Sequence, residues 1–383
     1  MKILIYEDNY DKFYPLVNLF PQFQLRAGIC TVAENSISHF GNVRADFVAR
    51  KVFGLEKAKP SAPALYLSSR LLLTSSFRVP SVDSLISVNG QTVGFIRTRA
   101  PFPASLDEIR DMIGTIGRSI TVEGLVLNNL WDMVTVNADV IIKQCTRIRG
   151  PGKRSVGVVA KSRNVYVAPG AKVHKMVHLD GSDGPVYIDK GAQIRPFTTI
   201  IGPSFVGAHA IVDRAKIIRS SIGPHCRIGG EVEESIFGGF SNKYHEGFIG
   251  HSYVGEWVNL GALTTNSDLK NNYGPVRIKI GENEIDTGIT KLGCFIGDHV
   301  KLGIGTLIPT GAVIGSFVNF AGGGLIPRYV PDFKWVVGSG EEAYDLNKAI
   351  KTAQIVLGRR NVQMSRQYEE IIRNLHGQVC RSN

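Results

Sequence analysis

The sequence of 383 residues carries 44 Lys and Arg against 33 Asp and Glu, and 43% of its residues are hydrophobic. This length allows two or three domains with sizeable cores, and the composition excludes a wholly disordered chain. No apolar run of about 18 residues indicates a membrane-spanning helix, and the first residues turn polar too early for a signal peptide.

The cysteines predict the compartment. They are odd in number, far apart and form no CxxC pair: Cys30, Cys145, Cys226, Cys294 and Cys380. This spacing favours reduced thiols over a disulfide framework or a zinc site. We therefore expect a cytoplasmic protein.

The formal net charge of +11 is compatible with nucleic acid, an anionic membrane or phosphorylated small substrates. Basic residues are scattered and not interleaved with aromatic ones, so we predict no nucleic-acid or membrane partner. The densest basic cluster lies on a predicted C-terminal helix and comprises Lys348, Lys351, Arg359, Arg360, Arg366 and Arg373. It is either a solvated helix face or a surface that binds phosphate-bearing metabolites.

Residues 1–145 read as a mixed α/β domain. Strands are predicted over residues 2–6, 64–73 and 92–98, and a helix over 105–116 with Ser105 and Glu108 as a capping box. No GxGxxG or GxxxxGK[ST] motif follows a strand. Arg26, beside a glycine in LRAGICT, is either a structural ion-pair partner or a phosphate ligand.

Residues 146–163 are basic and marked by Gly and Pro, and we predict a linker there. Over 164–338 an aliphatic residue returns at every sixth position in two series: Ile188, Ile194, Ile200, Val206, Val212 and Ile218, and then Val254, Leu260, Ile296, Leu302, Ile308 and Ile314. Glycine follows several of these residues. A period of six is typical of a parallel β-helix, in which each short face contributes one inward residue. The phase slips after Ile218, where a coil carries an insertion.

Three further features follow from this repeat. A prism of parallel strands has three outer faces, so copies can pair about a threefold axis, and we expect a homotrimer. Residues 266–290 break the period, which predicts a polar loop or hairpin with a function. Residues 325–338 form an exit segment, and 339–383 predict a C-terminal amphipathic helix interrupted near Gly358.

The segment 238–266 concentrates chemically active side chains. His245, Glu246 and His251 are one candidate metal set, but their spacing differs from HExxH. A histidine here can instead act as a general base for an amine or hydroxyl that attacks a thioester, or both histidines are surface residues. Spacing alone leaves the last two interpretations open.

Two runs, GGFSNKYHEGFIGHSYVGEWVNLGALTTNSDLKNNYG (238–274) and DTGITKLGCFIGDH (286–299), carry a family resemblance. They resemble the bifunctional N-acetylglucosamine-1-phosphate uridyltransferase and glucosamine-1-phosphate acetyltransferase family, and more closely its sugar nucleotidyltransferase-like branch. Thinner similarity lies at LRAGICT, SSRLLL (68–73) and LWDMVTVNADVI (130–141). The resemblance implies an N-terminal nucleotidyltransferase-like α/β domain, a left-handed parallel β-helix of hexapeptide repeats and a trimer. It also implies acyl transfer from acetyl-CoA between subunits.

Matched residue by residue, the resemblance places the general base on His245. It implies that Lys243 meets a sugar phosphate, that Asn259 contacts substrate, and that Asn266 and Lys270 begin the loop that closes over the amine and the acyl donor. Tyr273 is a further candidate for substrate binding. Arg328 is the candidate for the CoA phosphates. The family's aromatic residue after the base is Phe248 here, without a hydroxyl.

The N-terminal domain departs further from the family, because no Gly-Thr-Arg nucleotide loop stands in residues 1–40. Arg26, Arg70 and Asp132 are the candidate nucleotide-site residues, with Asp8 as a second acid for Mg²⁺. The expected function is N-acylation of an amino-sugar phosphate or nucleotide sugar, with or without sugar-1-phosphate nucleotidylyl transfer. The alternatives are a nucleotidyltransferase whose β-helix serves assembly, and a trimeric scaffold without catalysis.

Overall fold

The computed structural model describes residues 2–41, 43–58, 60, 63–148, 159–160, 164–338 and 340–382. The chain divides into two compact units. The first contains residues 1–13, 20–26 and 30–132, and the second contains 14–19, 27–29 and 133–383.

The first unit is built on a mixed six-stranded sheet. In spatial order its strands are Ala45–Val48, Lys2–Tyr6, Ala64–Ser68, Gln91–Arg97, Ser84–Val88 and Ser119–Thr121. A short pair joins Leu71–Leu73 to Gly124–Val126. Helices α1 (Val32–Ser38) and α2 (Leu106–Ile113) complete the unit, with 3₁₀ turns at Tyr10–Phe13, Gln22–Gln24 and Lys51–Phe53.

Two local predictions in this unit needed refinement. The strand expected over 64–73 is two strands, because the chain turns at Ser69 and Arg70. Ser105 caps α2 as expected and accepts a hydrogen bond from the Glu108 amide. The Glu108 carboxylate, however, accepts from the Ala104 amide, one residue before the cap.

The second unit is a parallel β-helix with three faces. One face is a nine-stranded parallel sheet: Val165–Val167, Val186–Ile188, Ser204–Val206, Ser221–Ile222, Ile236–Phe237, Tyr253–Val254, Phe295–Ile296, Val313–Ile314 and Tyr329–Val330. A second face carries Lys172–Val173, Gln193–Ile194, Asn242–Lys243, Asn259–Leu260, Lys301–Leu302, Asn319–Phe320 and Lys334–Val337, the last paired with Gly340–Ala343. The third carries Val159–Ala160, His178–Asp180, Thr199–Ile201, Phe248–Gly250, Thr265–Asn266, Thr306–Ile308 and Gly324–Leu325. The long strands Ile211–Ile218 and Arg227–Glu233 run around the corner that joins the second and third faces.

The inward side chains form one column of aliphatic core, as the period of six predicts. Every residue of the two series is buried except Ile218, which is half-buried, and Ile217 takes the inward place. The cause is an irregularity between Val212 and Ala215, where the pairing register shifts. The six-residue period is therefore interrupted before Ile218, and not after it as expected.

Glycines at the corners permit close contact between coils. A Cβ on Gly255 would lie 2.6 Å from Oδ1 of Asp298 in the next coil, so a side chain there would force the coils apart. This explains why glycine follows Val254 in the repeat.

The remaining elements flank this prism. The predicted insertion is a hairpin of Arg277–Ile280 and Asn283–Asp286. Helices α3 (Asp132–Thr135) and α4 (Asn137–Ile148) precede the coils, and α5 (Leu346–Gly358) and α6 (Arg366–Ser382) follow them, with the expected break after Gly358. Most of the linker expected over 146–163 lies outside the described residues. The exit segment still contributes strands to the last coil.

The structure thus confirms an α/β unit followed by a parallel β-helix of hexapeptide repeats and C-terminal helices. No helix among the described residues is both long and apolar enough to cross a membrane.

Candidate functional site

His245 lies on the corner between the second and third faces, just after the strand Asn242–Lys243. Its side chain is exposed and borders two cavities, of about 480 and 250 Å³, which share Tyr244 and His245. Within the described residues, no side-chain hydrogen bond holds the imidazole. The ring is therefore available to a ligand from either cavity.

We call the larger cavity the basic cavity. It lies on the outer side of the second face, beneath helix α5, and its cationic lining residues are Arg227, Lys301, Arg359 and Arg360. Asn242, Asn259 and Lys301 lie in register on adjacent strands, and Nδ2 of Asn242 donates to Oδ1 of Asn259 at 2.9 Å. The exposed Asn259 thus has its oxygen fixed, and its amide N–H groups can still donate to a ligand.

We call the smaller cavity the corner cavity; it is lined by Asp213, Arg214, Gly230, Tyr244, His245, Glu246, Ala262 and Leu263. The Tyr244 hydroxyl donates to Oδ2 of Asp213 at 2.6 Å, and Arg195 donates to both. Burial alone would raise the pKa of the Asp213 carboxyl, but hydrogen bonds from Tyr244 and Arg195 lower it. The network fixes Tyr244 beside the His245 ring, with ring centroids 5.8 Å apart.

Lys243 lies in the core and not in either cavity. Its strand position matches those of Ile228 and Leu260, which point inward, and only 1% of the residue is exposed. Nζ donates to the carbonyl oxygens of Gly229 and His245 at 3.0 and 3.1 Å. Burial lowers the pKa of Lys243 to about 8. This geometry supports Lys243 as a positioning residue for the His245 backbone and not as a ligand of a sugar phosphate.

The other predicted substrate and CoA residues lie near the hairpin. Asn266, Lys270 and Arg328 line a separate cavity of about 1130 Å³, whereas Tyr273 is 72% exposed outside its lining. The Asn266 amide bridges the backbone N–H and carbonyl of Gly250. Arg328 pairs with Glu284 at 3.0 Å, and Lys270 donates to the Pro275 carbonyl.

His251 is not the surface residue that one interpretation of the sequence predicted. It is buried, and its Nδ1 lies 2.8 Å from Oδ2 of Asp268 and its Nε2 lies 3.5 Å from Glu234. No group of three His, Cys, Asp or Glu side chains in the described part of the chain is arranged to hold a metal. The metal interpretation of His245, Glu246 and His251 therefore has no support in the geometry.

The candidate nucleotide residues of the first unit are engaged within it. Asp8 and Arg70 follow the carboxyl ends of two parallel strands, where α/β proteins bind ligands, and pair at 2.7 Å. Asp132 accepts from the backbone amides of Asn128 and Asn129, although burial raises its pKa. Arg26 lies in the short strand Arg26–Ala27. Because both carboxylates already have partners, this donor set does not fit a Mg²⁺ site, and we derive no step through that ion.

Sequence reasoning missed the basic cavity and the Asp213–Tyr244 network. Arg359 and Arg360 were noticed as part of a basic cluster, but Arg227 and Lys301 were not. The sequence does contain a signal for the cavity. The residue just before each inward residue of these coils is polar and faces outward: Arg227, Asn242, Asn259 and Lys301.

Comparison with known proteins agrees with the sequence resemblance. The chain is 31% identical over 159 residues to a bifunctional sugar-1-phosphate nucleotidylyltransferase/acetyltransferase from Sulfurisphaera tokodaii, covering 38% of each chain. It is 28% identical over 236 residues to the bifunctional protein GlmU of Methanocaldococcus jannaschii, covering 58% of this chain and 51% of the relative. GlmU of Synechococcus elongatus is 25% identical over 229 residues, covering 58% of this chain and 42% of the relative.

The chain thus spans about half or less of the length of these curated relatives. No protein-family model matches it. Among solved structures, an Arabidopsis UDP-N-acetylglucosamine acyltransferase covers 53% of this chain and 77% of its own, at 16% identity and a TM-score of 0.20, which supports no conclusion about the site. The name of the Sulfurisphaera tokodaii relative gives a nucleotidylyltransferase and an acetyltransferase activity, the other two are named as bifunctional proteins, and the resemblance to these relatives is confirmed.

Proposed function

We propose that this chain transfers the acetyl group of acetyl-CoA to the amine of an amino-sugar phosphate or nucleotide sugar. The observation that carries the proposal is the placement of an exposed, unanchored histidine, His245, between two polar cavities of the β-helix. The name of the Sulfurisphaera tokodaii relative includes an acetyltransferase activity, which supports the same reaction class.

In the proposed mechanism, a neutral His245 imidazole accepts the proton of the amine as its nitrogen bonds to the thioester carbonyl carbon. The tetrahedral intermediate collapses with cleavage of the C–S bond, and the leaving thiolate takes the proton back from His245. Asn259 donates from its amide to a substrate oxygen. Lys243 holds the His245 carbonyl, and the Tyr244–Asp213 pair fixes the neighbouring ring.

Asn266, Lys270, Tyr273 and Arg328 stay predictions as ligand contacts. The Asn266 amide already forms hydrogen bonds with the backbone of Gly250. Lys270 and Arg328, which line the cavity of about 1130 Å³ near the hairpin, are therefore the better candidates of this set. The direct test of the proposal is to incubate acetyl-CoA with amino-sugar phosphates and to measure release of the CoA thiol. Absence of release across amino-sugar phosphates and nucleotide amino sugars would contradict it.

We further propose that the chain acts as a homotrimer, with the left-handed winding implied by the resemblance. Bulky apolar residues are exposed on the third face and on the corner that carries His245: Leu263, Ile304, Leu307 and Leu325. Leu307 and Leu325 lie opposite each other on paired strands. Contiguous exposed apolar surface of this kind is typical of an interface.

The assembly prediction is that the double variant Leu307→Glu/Leu325→Glu loses the trimer, because it buries two carboxylates in the interface. Light scattering coupled to size-exclusion chromatography measures the mass. Val82→Glu, which changes an exposed apolar residue of the first unit, is the matched control and keeps the wild-type mass. A wild-type monomer, or a double variant that stays trimeric, would show that this face is not the interface.

A second activity, sugar-1-phosphate nucleotidylyl transfer, is supported only by the names of the relatives. Arg26, Arg70 and Asp132 stay candidates for that site, although the carboxylates of Asp8 and Asp132, which already have partners, do not fit the Mg²⁺ expected from the sequence. Pyrophosphate release from UTP or dTTP with sugar phosphates tests it. The cytoplasmic location expected from the cysteines also stays a prediction.

A further inference from the structure

The basic cavity collects positive charge from three separate parts of the chain. Arg227 and Lys301 lie on strands of the second face, while Arg359 and Arg360 follow the last residue of α5. Among the residues that the structure describes, no carboxylate lines the cavity.

These four cations are not neutralised within the described residues, where no ion pair includes any of them. Several other cations on the same β-helix are paired: Arg195 with Asp213, Lys216 with Glu231, Arg219 with Glu234 and Arg328 with Glu284. Cations at a helix C-terminus complement the helix dipole, which accounts for Arg359 and Arg360 in part. The helix dipole does not account for Arg227 and Lys301, which lie on strands of the second face.

The local electrostatics agree with this crowding of charge. Burial lowers the pKa of Arg360, and the charges of Arg227 and Arg359 lower it further. Burial also lowers the pKa of Lys301 to about 7, although Nζ donates to the carbonyls of Trp257 and His299. A bound anion would relieve the repulsion and favour the charged form of both groups.

The cavity also has an apolar wall. Phe240, Trp257, Val258 and Val356 line it beside the cations. Its volume of about 480 Å³ lies within the range of small-molecule sites. Cations beside an apolar wall suit a phosphate ester of an organic group better than inorganic phosphate.

We propose that the basic cavity binds the phosphate ester of one substrate of the acetyl transfer, with Arg227, Arg359 and Arg360 as its ligands. This inference rests on the proposed function, because the cavity borders His245. The phosphate can belong to CoA or to the amino sugar, and the chemistry of recognition is shared: guanidinium groups donate paired hydrogen bonds to phosphate oxygens. If the phosphate belongs to CoA, the contact expected at Arg328 lies instead in the basic cavity.

The test is calorimetric titration of His245→Ala protein, which is expected to bind without turnover, with CoA, glucosamine 1-phosphate and UDP-glucosamine in separate experiments. Arg227→Gln and Arg360→Gln, each in that background, are expected to weaken the same phosphate ligand by roughly 10- to 100-fold, as for charged hydrogen bonds. Lys351→Gln, an exposed cation on the same α5, is the matched control and leaves affinity unchanged. The ligand whose affinity falls identifies the source of the phosphate.

Arg227→Lys keeps the charge and is expected to recover part of the lost affinity, which a merely structural role would not predict. The inference would be overturned if both glutamine variants bound every phosphate ligand with unchanged affinity. It would also be overturned if the His245→Ala protein bound none of these ligands. Binding that depends on these arginines without acetyl transfer in the wild type would retain the cavity assignment and reject the proposed function. If acetyl transfer requires His245 but the affinity for every phosphate ligand is the same in the arginine variants, the proposed function stands and the assignment of the basic cavity is rejected.

Discussion

His245→Ala lowers kcat for acetyl transfer by roughly 10²- to 10⁴-fold, the range for loss of a general base. The physical reason is that the attacking amine must lose its proton as the carbon–nitrogen bond forms, and no other histidine of the described ranges borders either cavity. His245 is exposed and makes no side-chain hydrogen bond in the described structure, so its removal leaves the fold unchanged. Steady-state release of CoA thiol, with melting temperature recorded in parallel, measures both effects.

The matched control is His174→Ala, which removes an exposed histidine from an early coil of the same β-helix. It is expected to keep the wild-type kcat. If His245→Ala retains more than about a tenth of the wild-type kcat, the decrease is smaller than the loss of a general base produces. That result would contradict the assignment and would move attention to the N-terminal unit.

Asp332→Asn raises the stability of the β-helix at pH 8, and it does so by up to about 4 kcal/mol. Asp332 is 6% exposed and accepts hydrogen bonds from the Ser316 amide and from Nδ2 of Asn18. Burial raises the pKa of its carboxyl from 3.8 to about 7, despite these donors and Tyr14. Asparagine retains an acceptor oxygen without the buried charge.

The direction of the pH dependence follows from the raised pKa. The folded state holds the Asp332 proton more tightly than the unfolded state, so this contribution to stability is complete below about pH 4. It is lost as the pH rises towards about 7. Wild-type stability is therefore expected to fall between pH 4 and pH 7, and the fall is smaller in Asp332→Asn. Burial also raises the pKa of Asp298, so part of the fall persists in the variant.

Melting temperatures of the wild type and Asp332→Asn at several pH values between 4 and 8 measure this difference. For a unit of this size, 1 kcal/mol corresponds to roughly 2 to 4 °C. Asp183→Asn, which neutralises an exposed aspartate on the same β-helix, is the control and follows the wild-type curve. Parallel curves for wild type and Asp332→Asn would show that Asp332 does not titrate in this window.

The fold could be predicted because one inward residue per six is a direct consequence of the geometry of each face. Ile296, Leu302, Ile308 and Ile314 all lie in the core. The period could not locate the slip before Ile218, because a local bulge at Asp213 and Arg214 leaves no change in composition.

The site was only partly predictable. The motif match selected His245 and Asn259, which the structure places around one cavity. It also selected Lys243, whose strand position is inward, because a match along the sequence does not report side-chain direction. The basic cavity joins residues more than 100 positions apart, Arg227 and Arg359, and therefore depends on how α5 packs on the coils.

The most direct test is mass spectrometry of products formed from isotopically labelled acetyl-CoA and a set of amino-sugar phosphates and nucleotide amino sugars. We expect the labelled acetyl group on the nitrogen of one acceptor with wild-type protein, and at least about 100-fold less of that product from His245→Ala in the same early time window. Labelled product formed equally by both proteins would contradict the role of His245. No labelled product from any acceptor with the wild type would contradict acetyl transfer itself.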